Sequence, residues 1–174
     1  MYDAPTWLND NCIEFWLEHV FYDKLKKDES ICFVPPCTMS VIFGMPPETV
    51  AEMVPLLKLP TRELVLMPIN DNNGGSAAGG THWSLLVYVR SDNSFRYYDS
   101  IHASNNLRSA KASAKSLELA LATRPGPRFI FDPSLLPAQT NDHDCGPYLL
   151  LAAECIATCF LGGGRGEEGE EGEE

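Results

Sequence analysis

Basic charge is what the chain has least of: 13 Lys and Arg stand against 24 Asp and Glu, for a formal net charge of -11. A nucleic-acid binder presents a basic face, so nucleic acid is not an expected partner. A secretory leader is also missing from the opening residues. MYDAPTWLND has no basic start and no apolar core segment. Long apolar runs are scarce. The longest, residues 148–161, is interrupted by Glu154 and Thr158 and falls short of the roughly 18–20 residues a membrane span needs. No membrane partner is therefore expected. The six cysteines form no C-x-x-C pair, and no histidine stands at ligand spacing from them. Neither a zinc site nor any other metal or cofactor is expected. These thiols fit a reducing cytoplasm or nucleus.

What is present fits one α+β domain. Ile13, Trp16, Leu17, Val20, Phe21 and Leu25 recur at three- and four-residue steps, which predicts an amphipathic helix over residues 9–27. Pro35-Pro36 and Pro46-Pro47 each precede a short apolar run, predicting helices near 36–43 and 47–54. Strands are expected at Glu63–Ile69, Trp83–Val89, Phe95–Tyr98 and Arg128–Phe131, the middle two forming a hairpin. Between the first two lies an eleven-residue Gly- and Asn-rich loop, Asn70–Gly80, expected to be mobile until substrate orders it. A helix is expected over 106–123, and a last one over Cys145–Leu161, apolar enough to be buried on most sides. The Gly/Glu stretch from Gly162 to Glu174 has the composition of a disordered tail.

Among the cysteines, Cys145 has the surroundings a nucleophile needs. It follows the polar segment Gln139–Asp144 and opens the last helix, where unpaired N–H groups and the helix dipole favour a thiolate. Gly146 behind it leaves room for a substrate backbone. Position alone leaves the reactive and the structural reading of Cys145 evenly weighted. Cys12, Cys32, Cys37, Cys155 and Cys159 read as small core hydrophobes. His82, at the mouth of a strand, and Asp99, at the end of the next, lie toward the same open end of the hairpin. A turn centred between Asp92 and Asn93 would set Asp99 opposite Leu86, so a bend would be needed to bring His82 back. The competing reading is a loop histidine and a strand-end carboxylate. His143 is too near Cys145 in sequence for in-line geometry, and His19 and His102 have ordinary structural readings.

Four separated segments then occur in register: Trp7-Leu-Asn-Asp10, the run from Ile69 through His82-Trp83 to Val89, Tyr98-Asp99-Ser100, and Gln139-Thr-Asn-Asp-His-Asp-Cys145-Gly146. Together they resemble the sentrin-specific (ubiquitin-like-specific) cysteine proteases over about residues 6–160. The long loop before His82 resembles the deneddylase branch, which acts on the Nedd-type (Rub) modifier. That resemblance implies a papain-like architecture, with a mostly antiparallel central sheet flanked by helices and the nucleophile at a helix N-terminus. It also implies His82 as general base, Asp99 as its orienter, Cys145 as nucleophile and Gln139 as oxyanion donor. Trp7 and Trp83 would wall a channel for a Gly-Gly tail. Apart from the resemblance, Asp71 of the loop could pair with or exclude a charged modifier side chain, and Gly146 could admit a substrate backbone. The expected partners are a Nedd-type modifier and its conjugates, such as cullins, met by a monomeric enzyme. A SUMO-directed enzyme and an inactive modifier-binding module are the alternatives. Family domains carry an early strand and a further helix, so a catalytic domain over 1–161 reads as short at both ends.

Overall fold

In a computed structural model of the chain, residues 7–72, 80–102 and 104–163 are described. The predicted disordered tail from Gly162 lies outside them from residue 164 onward, as do residues 73–79 of the Gly-rich loop.

Five strands form one sheet in chain order: β1 (Ile31–Phe33), β2 (Leu64–Asn70), β3 (Trp83–Val89), β4 (Ser94–Tyr98) and β5 (Arg128–Phe131). The three central strands are antiparallel, while both edges, β1 on β2 and β5 on β4, are parallel. Parallel neighbours need a crossover. The chain supplies α2 (Pro36–Ile42) and α3 (Pro47–Met53) between β1 and β2, and α4 (Asn106–Leu117) between β4 and β5. Pro68 is tolerated in β2 because β1 pairs only as far as Leu66, so the proline lies where β2 has become an edge.

Helices cover both faces, which is why β2 and β3 read as nearly continuous apolar runs. Val65, Met67, Ile69, Leu86 and Tyr88 pack with Met39, Val50, Ala110 and Leu117 of α2–α4. The alternate residues Leu64, Leu66, Leu85 and Val87 pack with Ile13 and Leu17 of α1 (Asp10–His19) and Leu149 and Ala153 of α5 (Cys145–Gly163). The Asn9 side chain caps α1 by accepting from the Cys12 N–H at 3.0 Å.

Several expectations change in detail. The first helix loses α geometry after His19 and finishes as a π turn over Val20–Lys24. Helix α4 stops at Leu117, and the chain turns through a left-handed Ala122. The three-residue β1 had no strand prediction. Helix α5 is buried along one face only. Its 19 residues have the length and apolar composition of a membrane span, yet Leu149, Ala153 and Ala157 pack into the core while Leu151 is 60% exposed. Cys155 and Cys159 lie on its outer side, and Cys12 and Cys37 are exposed too. Of the five cysteines read as core residues, Cys32 alone is buried. Burial lifts its thiol pKa to about 11.

Candidate active site

The site grows from the open end of the β3–β4 hairpin. The turn spans Arg90 to Asn93 and closes with the Asn93 N–H donating to the Arg90 carbonyl at 3.1 Å, Asn93 taking a left-handed φ of 48°. That turn pairs Leu85 with Tyr98. One further step sets Asp99 across from Ser84, not Leu86, so the expected register is corrected by two residues. His82 is then a diagonal neighbour of Asp99, within reach of its side chain, and no bulge is required.

Asp99 is buried and fully engaged. Its Oδ1 meets His82 Nε2 at 2.6 Å and accepts the Ile101 N–H at 2.8 Å. Its Oδ2 accepts the Tyr97 hydroxyl at 2.6 Å and the Ser104 hydroxyl. Burial opposes its charge, but the His82, Ser104 and Tyr97 donors outweigh that and hold its pKa below the carboxylate range. The carboxylate therefore stays ionised against the imidazole.

Cys145 is the first residue of α5 and is buried. With His82 Nε2 committed to Asp99, the nitrogen left for the thiol is Nδ1, which is buried and has no hydrogen-bond partner among the described residues. Burial favours a neutral thiol, but His82 and the backbone N–H groups of Trp83 and Gly146 outweigh it and bring the Cys145 pKa down. Burial also favours a neutral His82. The hydrogen bond and charge of Asp99, together with the nearby Cys145, overcome this and raise its pKa to about 9. Both shifts favour a thiolate–imidazolium pair, the reactive form of a cysteine nucleophile.

The other predicted residues divide. Trp7 and Trp83 line one cleft of about 500 Å3, together with Asp10, Asn70 and Thr81. Trp7 is 51% exposed, and its Nε1 donates to the Asp142 carbonyl at 2.7 Å. Trp83 is 4% exposed and donates to the Leu8 carbonyl at 2.8 Å, so it serves the core as well as the cleft. Gln139 is drawn to the site by its N–H bond to the Ser100 carbonyl. Its Oε1 accepts from Ser100 Oγ at 2.6 Å and its Nε2 donates to the Asn141 carbonyl at 2.7 Å, which fixes the amide and leaves a second N–H.

Two expected substrate contacts have other neighbours in the fold. Asp71 was expected to face a modifier side chain. Instead Oδ1 accepts the Thr81 and His82 N–H groups at 2.5 and 3.1 Å, and Oδ2 accepts the Thr81 hydroxyl at 2.8 Å. Adjacent N–H donors and a hydroxyl satisfy a carboxylate locally at less entropic cost than a distant partner. At Gly146 the space on the Cβ side is filled by Leu8, whose side chain a Cβ would meet at 3.0 Å. The glycine instead permits the Trp7–Leu8 segment to lie against α5. The remaining histidines are held elsewhere: His19 by Asp23 at 2.7 Å, His102 by the Leu136 carbonyl, and His143 by Asp142 at 3.1 Å. Tyr97, Ser104 and Asn106 of the site carried no reactive signature in the sequence.

The chain matches the Ulp1 protease family, C-terminal catalytic domain, over residues 54–160. Sentrin-specific protease 8 of Homo sapiens is 38% identical over 161 residues, covering 91% of this chain and 74% of that protein. NEDD8-specific protease 1 of Arabidopsis thaliana is 34% identical over 166 residues, covering 93% and 70%. Among solved structures, the Xanthomonas campestris effector XopD bound to ubiquitin superposes with a TM-score of 0.68 at 21% identity, covering 93% of this chain and 80% of that one. The chain thus belongs to the Ulp1 protease family and is a cysteine-type peptidase.

Proposed function

We propose that this peptidase hydrolyses the bond after the C-terminal Gly-Gly of a ubiquitin-like modifier, the Nedd-type modifier being preferred, for precursor processing or release from conjugates such as cullins. One observation carries the reading. A thiol at a helix N-terminus faces a histidine whose other nitrogen is held at 2.6 Å by a buried carboxylate, beside a cleft flanked by Trp7 and Trp83. The Nedd preference is supported by the name of one relative, the NEDD8-specific protease 1 of Arabidopsis thaliana.

In this mechanism the Cys145 thiolate attacks the carbonyl carbon of the terminal glycine. Charge developing on the carbonyl oxygen meets the Cys145 backbone N–H and the free N–H of the Gln139 side chain. The His82 imidazolium gives its proton to the departing amine, leaving a thioester on Cys145. His82, now neutral, takes a proton from water, which hydrolyses the thioester and frees the modifier. Asp99 holds the ring throughout. Only residues without side chains would pass between the Trp7 and Trp83 indoles, which suits a Gly-Gly tail.

The test is labelling with Nedd-type, SUMO and ubiquitin probes that carry a C-terminal electrophile. Labelling should fall on Cys145, be fastest with the Nedd-type probe, and vanish in Cys145→Ala. Modification of a different cysteine would overturn the site, and faster SUMO labelling would overturn the preference.

A further inference from the structure

His82 is the last residue before β3, where the regular cross-strand ladder has not begun, so its main chain must be fixed by other means. One main-chain bond and side chains from two other segments do this. The Asp71 carboxylate accepts the His82 N–H at 3.1 Å, while the Asp71 N–H donates back to the His82 carbonyl at 3.3 Å. The same carbonyl accepts from Asn106 Nδ2 at 3.1 Å. Asn106 is the first residue of α4 and is fully buried. Its Nδ2 also reaches the Ile69 carbonyl at 3.3 Å and Ser84 Oγ at 3.0 Å. Two of these acceptors are carbonyls, so the amide orientation is set by chemistry: a reversed amide would press oxygen against oxygen. Its Oδ1 is buried without a hydrogen-bond partner among the described residues. An aliphatic side chain would avoid that penalty. What it could not supply is the donor group at the ends of β2 and β3.

Asn106 also reaches the partner of His82. Its backbone N–H donates to Ser104 Oγ at 3.2 Å, and that hydroxyl donates to Asp99 Oδ2. One residue thus joins the main chain of the histidine to the support of its carboxylate. We propose that Asn106 and Asp71 are positioning residues of the active site, clamping the His82 backbone so that its ring bridges Asp99 and Cys145. This rests on His82 being the proton-transfer partner of Cys145. Neither residue touches the sulfur or the bond to be cut, so they act through geometry. A displacement of about 1 Å at a reacting group can cost on the order of 100-fold in rate.

The experiment uses the full chain with Asp71→Ala, Asp71→Asn, Asn106→Ala and, in parallel, Cys145→Ala. Turnover of a modifier bearing a C-terminal fluorophore gives kcat and KM, corrected for the folded fraction. Thiolate absorbance against pH reports the ion pair directly. Asp71→Ala and Asn106→Ala should lower kcat by roughly 10- to 100-fold and leave KM within about threefold. They should also move the alkaline limit of the thiolate–imidazolium pair to lower pH, because a loosened ring loses Asp99. Asp71→Asn keeps an acceptor oxygen for both N–H groups and should recover most of kcat. If Asn106→Ala does not fold, the Asp71 pair decides. Unchanged kcat and thiolate titration in Asp71→Ala would overturn the proposal, as would failure of Asp71→Asn to recover activity. Turnover surviving in Cys145→Ala would instead overturn the nucleophile assignment on which it rests.

Discussion

Replacing Asp99 by Asn separates the charge of this carboxylate from its structural role. The variant keeps one oxygen, which still accepts from His82 Nε2 and the Ile101 N–H. Where Oδ2 was, an amide N–H would face the Tyr97 and Ser104 hydroxyls, and both can turn to accept. The fold should therefore survive. The charge does not. His82 stands at about 9 because the Asp99 hydrogen bond and the neighbouring Cys145 outweigh burial. Without the carboxylate it should fall to its ordinary 6.5 or below. At about pH 7.5 the imidazolium fraction then drops from nearly all to about a tenth, a loss of about tenfold in the ion pair alone. Poorer orientation of the ring adds to this, since amide-for-carboxylate replacement in a triad can reach roughly 10⁴ in turnover. We expect a fall in kcat of about 10²- to 10⁴-fold, with KM changed less than about threefold. Single-turnover cleavage of a modifier–fluorophore substrate gives the rate. A loss below about tenfold, with the alkaline limb still near 9, would refute the assignment of that limb to the Asp99-supported imidazolium.

Four further outcomes follow from the same structure. The pH profile of kcat/KM should be bell-shaped, rising as Cys145 ionises below the ordinary thiol value and falling as His82 loses its proton near 9; a profile still rising above 9 would contradict the ion pair. The His82 shift has a stability counterpart. Its folded pKa lies above the unfolded 6.5, so its contribution is complete below about 6.5 and is lost as pH rises through about 9. Cys145, whose folded pKa lies below its unfolded 9.0, gains stability over the same window and offsets that loss, so thermal scans should show Tm nearly level there, and a steep fall would contradict the paired thiolate. Gly146→Ala places a methyl within 3.0 Å of Leu8, whose carbonyl holds the Trp83 indole. We expect KM to rise about three- to tenfold and stability to fall by about 1–3 kcal/mol, and an unchanged KM would show that Leu8 does not shape the cleft. Arg90 donates to the Arg62, Leu59 and Leu121 carbonyls. Arg90→Ala should cost about 2–3 kcal/mol, or roughly 5–10 °C in Tm, while the folded fraction keeps its kcat.

The parts of the fold legible in the sequence were those whose apolar period runs long enough to be unambiguous. Trp83–Val89 and Arg128–Phe131 are strands over the residues predicted. The Pro-led helices at 36 and 47 begin where their prolines place them. Strand β1 escaped because three residues at a sheet edge hold no period, and only pairing with Leu64–Leu66 makes them a strand. The hairpin register was missed by two residues because it depends on turn geometry. Asn93 adopts a left-handed conformation and is held by Tyr88 and Arg124, one of them 31 residues away. The surface cysteines of α5 were misplaced because an apolar composition does not say how many sides of a helix are covered.

Within the site, legibility followed reactivity. Cys, His and an acidic residue at strand and helix ends can be singled out by what they are able to do. Asn106 could not, since an Asn at a helix start reads as a cap, and its amide turns instead to three acceptors on β2 and β3 and the residue between them. Asp71 misled for the complementary reason: a charged residue in a polar loop invites a substrate contact, yet its oxygens already hold Thr81 and His82. Oδ1 holds both N–H groups while Oδ2 accepts only the Thr81 hydroxyl, so a modifier side chain drawn to Oδ1 would compete with the bonds that fix the histidine. Cleft residues outside that clamp, such as Asp10 and Asn11 beside the exposed Trp7, can tune selectivity without that competition. These can be altered to suit a different modifier without moving His82.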